Sequence, residues 1–356
     1  MKKFLLIILA VIILVIVYIA ADIAIAAGVF KDIRPHVKGT EQVLPLPLSG
    51  PEDMTVDTIS GLAFISVDDR RANLARPGSV PGAILVFDAK ADTPSFRNVT
   101  PGVLKDFHPH GLSIWRSPEG RVLLFVVNHL QKSAGHAIER FEWRNDSLVH
   151  LERITDPELM TSPNDVLAVG ERSFYVSNDH RYPNPGLLRT LEDYLQRAIS
   201  YVNYYEGKAF RIVASGIAYA NGVNWSADGR HLYVAATTGR KLITYKIDPL
   251  DGGLEMESET DLATGVDNIE VDAAGDLWIG CHPQLLKFVA HAADPAKRSP
   301  SQVLRLRPLV SGGYNVSEVY LNDGVSYSGS TVAVPVGGRM FVGSVFEQGL
   351  LVFKPN

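Results

Sequence analysis

The sequence predicts an all-β chain folded as a six-bladed β-propeller, on three observations. A unit recurs at intervals of about 50 residues: a short apolar strand, a turn with Gly or Asp-Gly, an aromatic-rich strand, a loop and another strand. No linker-like stretch divides the roughly 315 residues that carry it, so the units build one domain rather than several. With 46% hydrophobic and 21% charged residues, 30 Gly and 21 Pro, the composition excludes extensive disorder and leans towards strands and turns. A pair of β-sandwiches is the plainer all-β alternative.

Residues 1–30 are a separate object. Met1-Lys2-Lys3 precede an unbroken apolar run from Phe4 to Ala21. Eighteen helical residues span about 27 Å, close to the roughly 30 Å hydrocarbon core of a bilayer. Asp22 interrupts, and Ile23 to Phe30 is apolar again. The run is longer than the usual apolar region of a secretory signal, so it reads as an uncleaved signal anchor, with Ala24-Ile25-Ala26 as the alternative cleavage site. Basic residues flank both sides (Lys2 and Lys3, then Lys31 and Arg34) and leave orientation open. An N-terminal position favours export of residues 31–356 to the periplasmic or extracellular side, as a propeller separable from its anchor.

The clearest repeat is Asn221 to Trp225, a turn over Ala227-Asp228-Gly229-Arg230, His231 to Ala235, then Lys241 to Tyr245. Another is Asp267 to Val271, Ala274-Gly275, Asp276 to Gly280, then Leu285 to Phe288. Weaker copies start near Gly61, His110, Asn164 and Gly329. One helical exception is expected near 187–205, where Leu188, Leu191, Leu195, Ala198, Val202 and Tyr205 form a stripe.

The first strand of every propeller blade lines a central channel. Glu52-Asp53, His110, Asn164-Asp165, Asn221 and Asp267-Asn268 recur about 46 to 58 positions apart, one blade each, and should meet on that axis. Buried carboxylates and amides are costly without a partner, and no Lys or Arg stands in these motifs. Oxygen ligands without sulfur suit a hard cation, calcium above all. With a single cysteine, Cys281, neither an internal disulfide nor a Cys-rich zinc site is available. A net charge of −5 without long basic runs argues against a nucleic-acid partner.

These motifs, with Gly61 to Ser66, Pro109 to Ser113, Phe125 to His129, Phe174 to His180, Gly280-Cys281-His282-Pro283 and Gly329 to Ala333, are collinear with one family. The chain resembles the paraoxonases, calcium-dependent lactonases and arylesterases. That resemblance implies two calcium ions in the channel. A catalytic ion would be held by Glu52, Asn164, Asn221, Asp267 and Asn268. A structural one would use Asp53, Asp165 and the backbone carbonyl of Leu112. Alternation along a strand lets adjacent residues serve stacked ions. The resemblance also implies a histidine pair, His110 and His129, with His110 as general base; Asp267 is the alternative base. His108, His136, His180 and His282 read as structural, and Cys281 as an inert buried thiol.

The implied reaction is hydrolysis of lipophilic lactones, acyl-homoserine lactones among them, with aryl esters and organophosphates as further substrates. The helix near 187–205 would form a canopy over the site and a second contact with membrane. The sequence departs from the animal members, which close the propeller with a terminal disulfide. Here closure must come from strand pairing, with Gln42 to Leu46 against Gly349 to Phe353 as candidates. The loop Val67 to Val80 is longer and more charged than its family counterpart. A gluconolactonase-like sugar lactonase, a metal-free strictosidine-synthase-like propeller and a non-catalytic membrane-tethered binding module are the rival readings.

Overall fold

The computed structural model describes residues 1–355 apart from 38, 101, 103, 133 and 134. Six four-stranded antiparallel sheets form the blades of a propeller. Their innermost strands are Pro51–Val56, Pro109–Arg116, Pro163–Ala168, Ala220–Trp225, Gly265–Val271 and Ser330–Val336, each touching the next around the ring. The first blade therefore begins one strand before Gly61, which lies in the turn to the second strand. The core lies between blades: Phe64, Ile84 and Val86 of one pack with Leu124, Val126 and Phe141 of the next. Burial of these side chains stabilises each blade only in the presence of its neighbours.

The ring closes where the sequence suggested. Gly39–Pro45 forms the outer strand of the last blade and pairs antiparallel with the C-terminal strand Gly349–Pro355, Gln42 opposite Val352 and Leu44 opposite Leu350. Cys281 is buried and unpaired, so hydrogen bonds and apolar contacts alone hold the two ends of the chain together.

Among the described residues one helix precedes the strands and three interrupt them, not one anchor and one insertion. The N-terminal helix α1 covers Lys2–Ala26 and is long and apolar enough to cross a membrane. Helix α2, Arg70–Ala75, lies in the charged loop, with Asp69 capping its N-terminus through Ala72 N–H. The helix expected over 187–205 is half that length. Helix α3 spans Leu187–Tyr194, and Ser200–Glu206 is instead the third strand of its blade, paired on both sides. Tyr201, Val202, Tyr204 and Tyr205 are good strand formers, and pairing partners on both edges override a helical stripe. The reverse holds at Leu285–Phe288, expected as strand. This segment opens α4, Leu285–Ala293, and the third strand of that blade is Ser301–Pro308.

The inner strands share one irregularity. In all six the register with the second strand shifts within the first few residues, for example between Pro51 and Asp53, Pro163 and Val166, and Ala220 and Val223. Each shift falls on the motif residues. The ladder breaks where the polar side chains stand, and a bulge there re-aims them. Gly111 and Gly222 follow for a steric reason. A Cβ on Gly111 would lie 2.6 Å from the Asn164 carbonyl oxygen, and one on Gly222 2.6 Å from that of Asp267. Neighbouring inner strands meet backbone to backbone at the channel.

Candidate active site

The bulges divide the motif pairs between two cavities on the axis. Glu52, His110, Asn164, Asn221 and Asp267 line an upper cavity of about 400 Å³. Asp53, Leu112, Asp165 and Glu270 line a lower one of about 150 Å³.

In the upper cavity the amide nitrogens are engaged and the oxygens are not. Asn164 Nδ2 donates to Asp179 (3.2 Å), Asn221 Nδ2 to Thr237 Oγ1 (3.0 Å) and Asn268 Nδ2 to Glu52 Oε1 (2.9 Å). Asn164 Oδ1, Asn221 Oδ1, Asn268 Oδ1 and Glu52 Oε2 are buried without a hydrogen-bond partner. Four orphaned oxygens at one place are costly, and they are those of the expected ligands. This donor set, carboxylate and amide oxygen without sulfur, fits a calcium ion. Among the described residues no three His, Cys, Asp or Glu side chains form a metal cluster by themselves, because the set relies on amides.

Positive charge does approach this floor, from outside the motifs. Arg70 of α2 donates to the carbonyls of Gly50 and Pro109 and stands 4.0 Å from Glu52 Oε2. Burial pushes the Glu52 carboxyl up, but His110, Arg70 and Asn268 outweigh it and hold it below its ordinary value. His110 Nε2 lies 3.5 Å from Glu52 Oε1.

His110 and His129 meet as expected, with His110 Nδ1 3.0 Å from His129 Nε2. The chain continues: His129 Nδ1 lies 2.8 Å from His136 Nδ1. Burial, then His110 and His136, pushes His129 well below the usual imidazole range. His129 is thus neutral at neutral pH and holds one proton for its two neighbours.

Four further residues belong here that sequence reasoning left structural or did not name. His282 Nε2 sits 2.7 Å from Asp267 Oδ2, its ring stacked on Phe288 at 3.8 Å. Burial pushes the Asp267 carboxyl up although His282 pulls the other way. Asp179 holds Asn164, and His180 bridges Asp179 (2.7 Å) to Asp193 of α3 (2.9 Å). Burial opposes charge on both. Their mutual bond nonetheless draws Asp179 down to about 2, and with the Asp193 bond it raises His180 to about 9. The signal for His282 was its place beside Cys281 in a motif, and Asp179 and His180 close the Phe174 to His180 motif; nothing local marked Asp193.

The lower cavity is built differently. Asp53 accepts from Met54 N–H (2.8 Å) in its own strand and from Leu112 N–H (2.7 Å) in the next blade. Asp165 repeats this with Val166 (2.7 Å) and Val223 (2.8 Å). Each carboxylate bridges two blades. Burial first, then repulsion from neighbouring carboxylates, pushes Asp53, Asp165 and the unforeseen Glu270 well above the usual carboxylate range. These three carboxylates line one small cavity without converging into a ready-made cluster, so a divalent cation there would draw on backbone carbonyls as well.

The model of the arylesterase family matches residues 50–352. The chain belongs to the arylesterase family. Human serum paraoxonase/arylesterase 1 is 35% identical over 327 residues, covering 88% of this chain and 86% of the human protein. Human serum paraoxonase/lactonase 3 is 33% identical over 355 residues, covering 94% and 97%. A solved putative gluconolactonase shares the fold with a TM-score of 0.53 at 14% identity, covering 92% of this chain and 95% of that one. As an arylesterase-family member the protein is an ester hydrolase of the lactonase or arylesterase type, which sets aside the binding-module reading.

Proposed function

We propose that this arylesterase hydrolyses lipophilic lactones in the upper cavity, with calcium bound there and a second calcium in the lower cavity. The observation that carries the reading is the coincidence of four orphaned buried oxygens with the histidine chain at one cavity floor. Glu52, Asn164, Asn221, Asp267 and Asn268 would hold the catalytic ion; Asp53, Asp165 and the Leu112 carbonyl would hold the structural one. Bound calcium supplies Lewis-acid polarisation of the ester carbonyl and charge for the developing oxyanion.

The chain's own residues supply the proton chemistry. His110 Nε2 takes the proton of the attacking water. His129, kept neutral by burial, holds His110 through Nδ1 and fixes which of its nitrogens faces the cavity. His136 anchors His129 in turn. Asp267, oriented by His282, is the alternative base. Leu285, Leu286, Phe288, Val289 and Phe346 make one wall apolar, which supports lipophilic over sugar lactones. Helix α1 would anchor the enzyme in a membrane with the propeller exported.

A lactone series from C4 to C12, measured with and without chelator, tests this. We expect turnover that needs calcium and kcat/KM that rises with chain length. A preference for sugar lactones, or turnover indifferent to chelation, overturns it.

A further inference from the structure

Helix α1 has two parts with different surroundings. Lys2 to Asp22 are exposed throughout, whereas Ala26, Ala27 and Gly28 are buried. Gly28, at φ +68, ends the helix: its N–H reaches Ile25 O and that of Val29 reaches Ala24 O, both at 3.0 Å. The turn is fastened to the propeller at the same point. Leu285 N–H, at the start of α4 and without a partner inside that helix, donates to the Ala27 carbonyl (3.0 Å). The Gln284 amide donates to the Lys31 carbonyl (3.0 Å). A Cβ on Gly28 would sit 2.1 Å from the Pro283 carbonyl oxygen, so the two backbones touch.

This docking brings Ile23, Ala26 and Ala27 into the wall of the upper cavity, across from its polar floor. Leu286 and Val289 of α4 and Tyr194 of α3 continue the same wall. One and two turns back, Ile19 and Ile16 share the Ile23 face of α1. The apolar side of the cavity therefore runs without a break onto the exposed apolar helix. Cleavage at Ala24-Ile25-Ala26 would remove Ile23 and Ala26 and open the cavity on that side.

We propose that Ile23, Ala26 and Ala27 are specificity-determining residues, the wall against which the acyl chain of the substrate lies. The assignment of the chain as substrate rests on the ester-hydrolase reading of this cavity; the docked helix does not. An acyl group leaving the floor is flanked by Ile23 and then by Ile19, so its methylenes stay out of water along the helix. Short-chain esters end before that wall and gain little from it.

The test uses the full chain in phosphatidylcholine nanodiscs. Cys281 is the sole native cysteine and is buried, so Ile23→Cys carries the one reactive thiol. The probe is the lactam analogue of N-dodecanoyl-homoserine lactone, which binds without turnover, with the N-butanoyl lactam beside it. The dodecanoyl lactam should slow maleimide labelling at position 23 at least ten-fold and the butanoyl lactam should not. Ile25→Cys, on the exposed side of the helix, should label at one rate throughout. Ile23→Phe and Ala26→Val should lower the dodecanoyl-to-butanoyl ratio of kcat/KM about ten-fold, equivalent to roughly two methylenes losing burial. Intact mass should show a chain beginning upstream of Ile23. Equal labelling with and without dodecanoyl lactam, an unchanged ratio in both variants, or a mature chain beginning at Ala27 overturns the proposal. Protection at position 23 without lactone turnover sinks the proposed reaction and leaves the wall standing; turnover without protection does the opposite.

Discussion

The two cavities on the propeller axis are built from the same pairs of adjacent residues, yet they differ in how their oxygens are used. In the upper one, Glu52, Asn164, Asn221 and Asn268 each keep an oxygen without a partner. In the lower one, both oxygens of Asp53 and Asp165 accept backbone N–H groups that join one blade to the next. The upper cavity leaves buried oxygens open at a cost in stability, and the lower one fixes the blades that hold them. A bulge in every inner strand makes this division possible, because it turns two neighbouring side chains towards different levels of one channel.

The largest expected effect lies at the upper floor. His110→Gln should lower lactone turnover by about 10²–10⁴-fold, as loss of a general base does, with calcium affinity and melting temperature unchanged. A full-rate variant would transfer the role to Asp267 and its partner His282. Steady-state kinetics beside calcium titration decides.

Next come Asp53→Ala and Asp165→Ala. Each loses a bond between blades and a ligand to the proposed lower ion, so with calcium saturating the melting temperature should fall by about 4 °C, from roughly 2.7 kcal/mol of lost linkage. Glu52→Gln should shift melting by under about 1 °C while turnover collapses. Equal melting losses in all three would erase the contrast between the cavities.

Glu270→Gln sharpens it with a change of sign. It removes one of three mutually repelling carboxylates and leaves the backbone bonds of Asp53 and Asp165 in place. With chelator present, calorimetry should show melting raised by about 1.5 °C, about 1 kcal/mol; with calcium saturating the gain should vanish or reverse.

The smallest effect concerns α3. His180 is raised to about 9 in the fold by Asp179 and Asp193, against the pull of burial. A raised histidine stabilises fully below its unfolded value of about 6.5 and loses that contribution as pH climbs through about 9. Hydrogen exchange in Leu187–Tyr194, corrected for intrinsic rate, should accelerate relative to the blades above pH 9. Uniform behaviour across the protein would show that the His180 bridge does not hold the helix.

The legible part of the site follows from periodicity. Glu52, Asn164, Asn221 and Asp267 are polar residues placed in apolar strands at blade spacing, and the ring turns equal spacing in sequence into one place in space. His136 and Arg70 obey no such repeat. His136 reaches the site because its strand pairs opposite His129, and Arg70 because a helix in a loop swings it over Glu52. Glu270 is two residues beyond Asn268 and looked like one more polar residue of a strand; only the register of the inner ring turns it to the lower cavity.

The sequence by itself determined a propeller of six blades, the axial residues and the apolar N-terminal helix. These rest on repetition and composition, which are local properties of the chain. The tertiary structure alone decided that Ser200–Glu206 is strand and Leu285–Ala293 helix, since edge pairing and blade geometry outweigh short-range preference there. It alone set the bulges, which depend on two strands at once. It alone docked Gly28 on Pro283 and so made the end of a membrane-type helix a wall of the upper cavity. That contact joins residues about 255 positions apart, and nothing in either segment announces the other before the ring has closed.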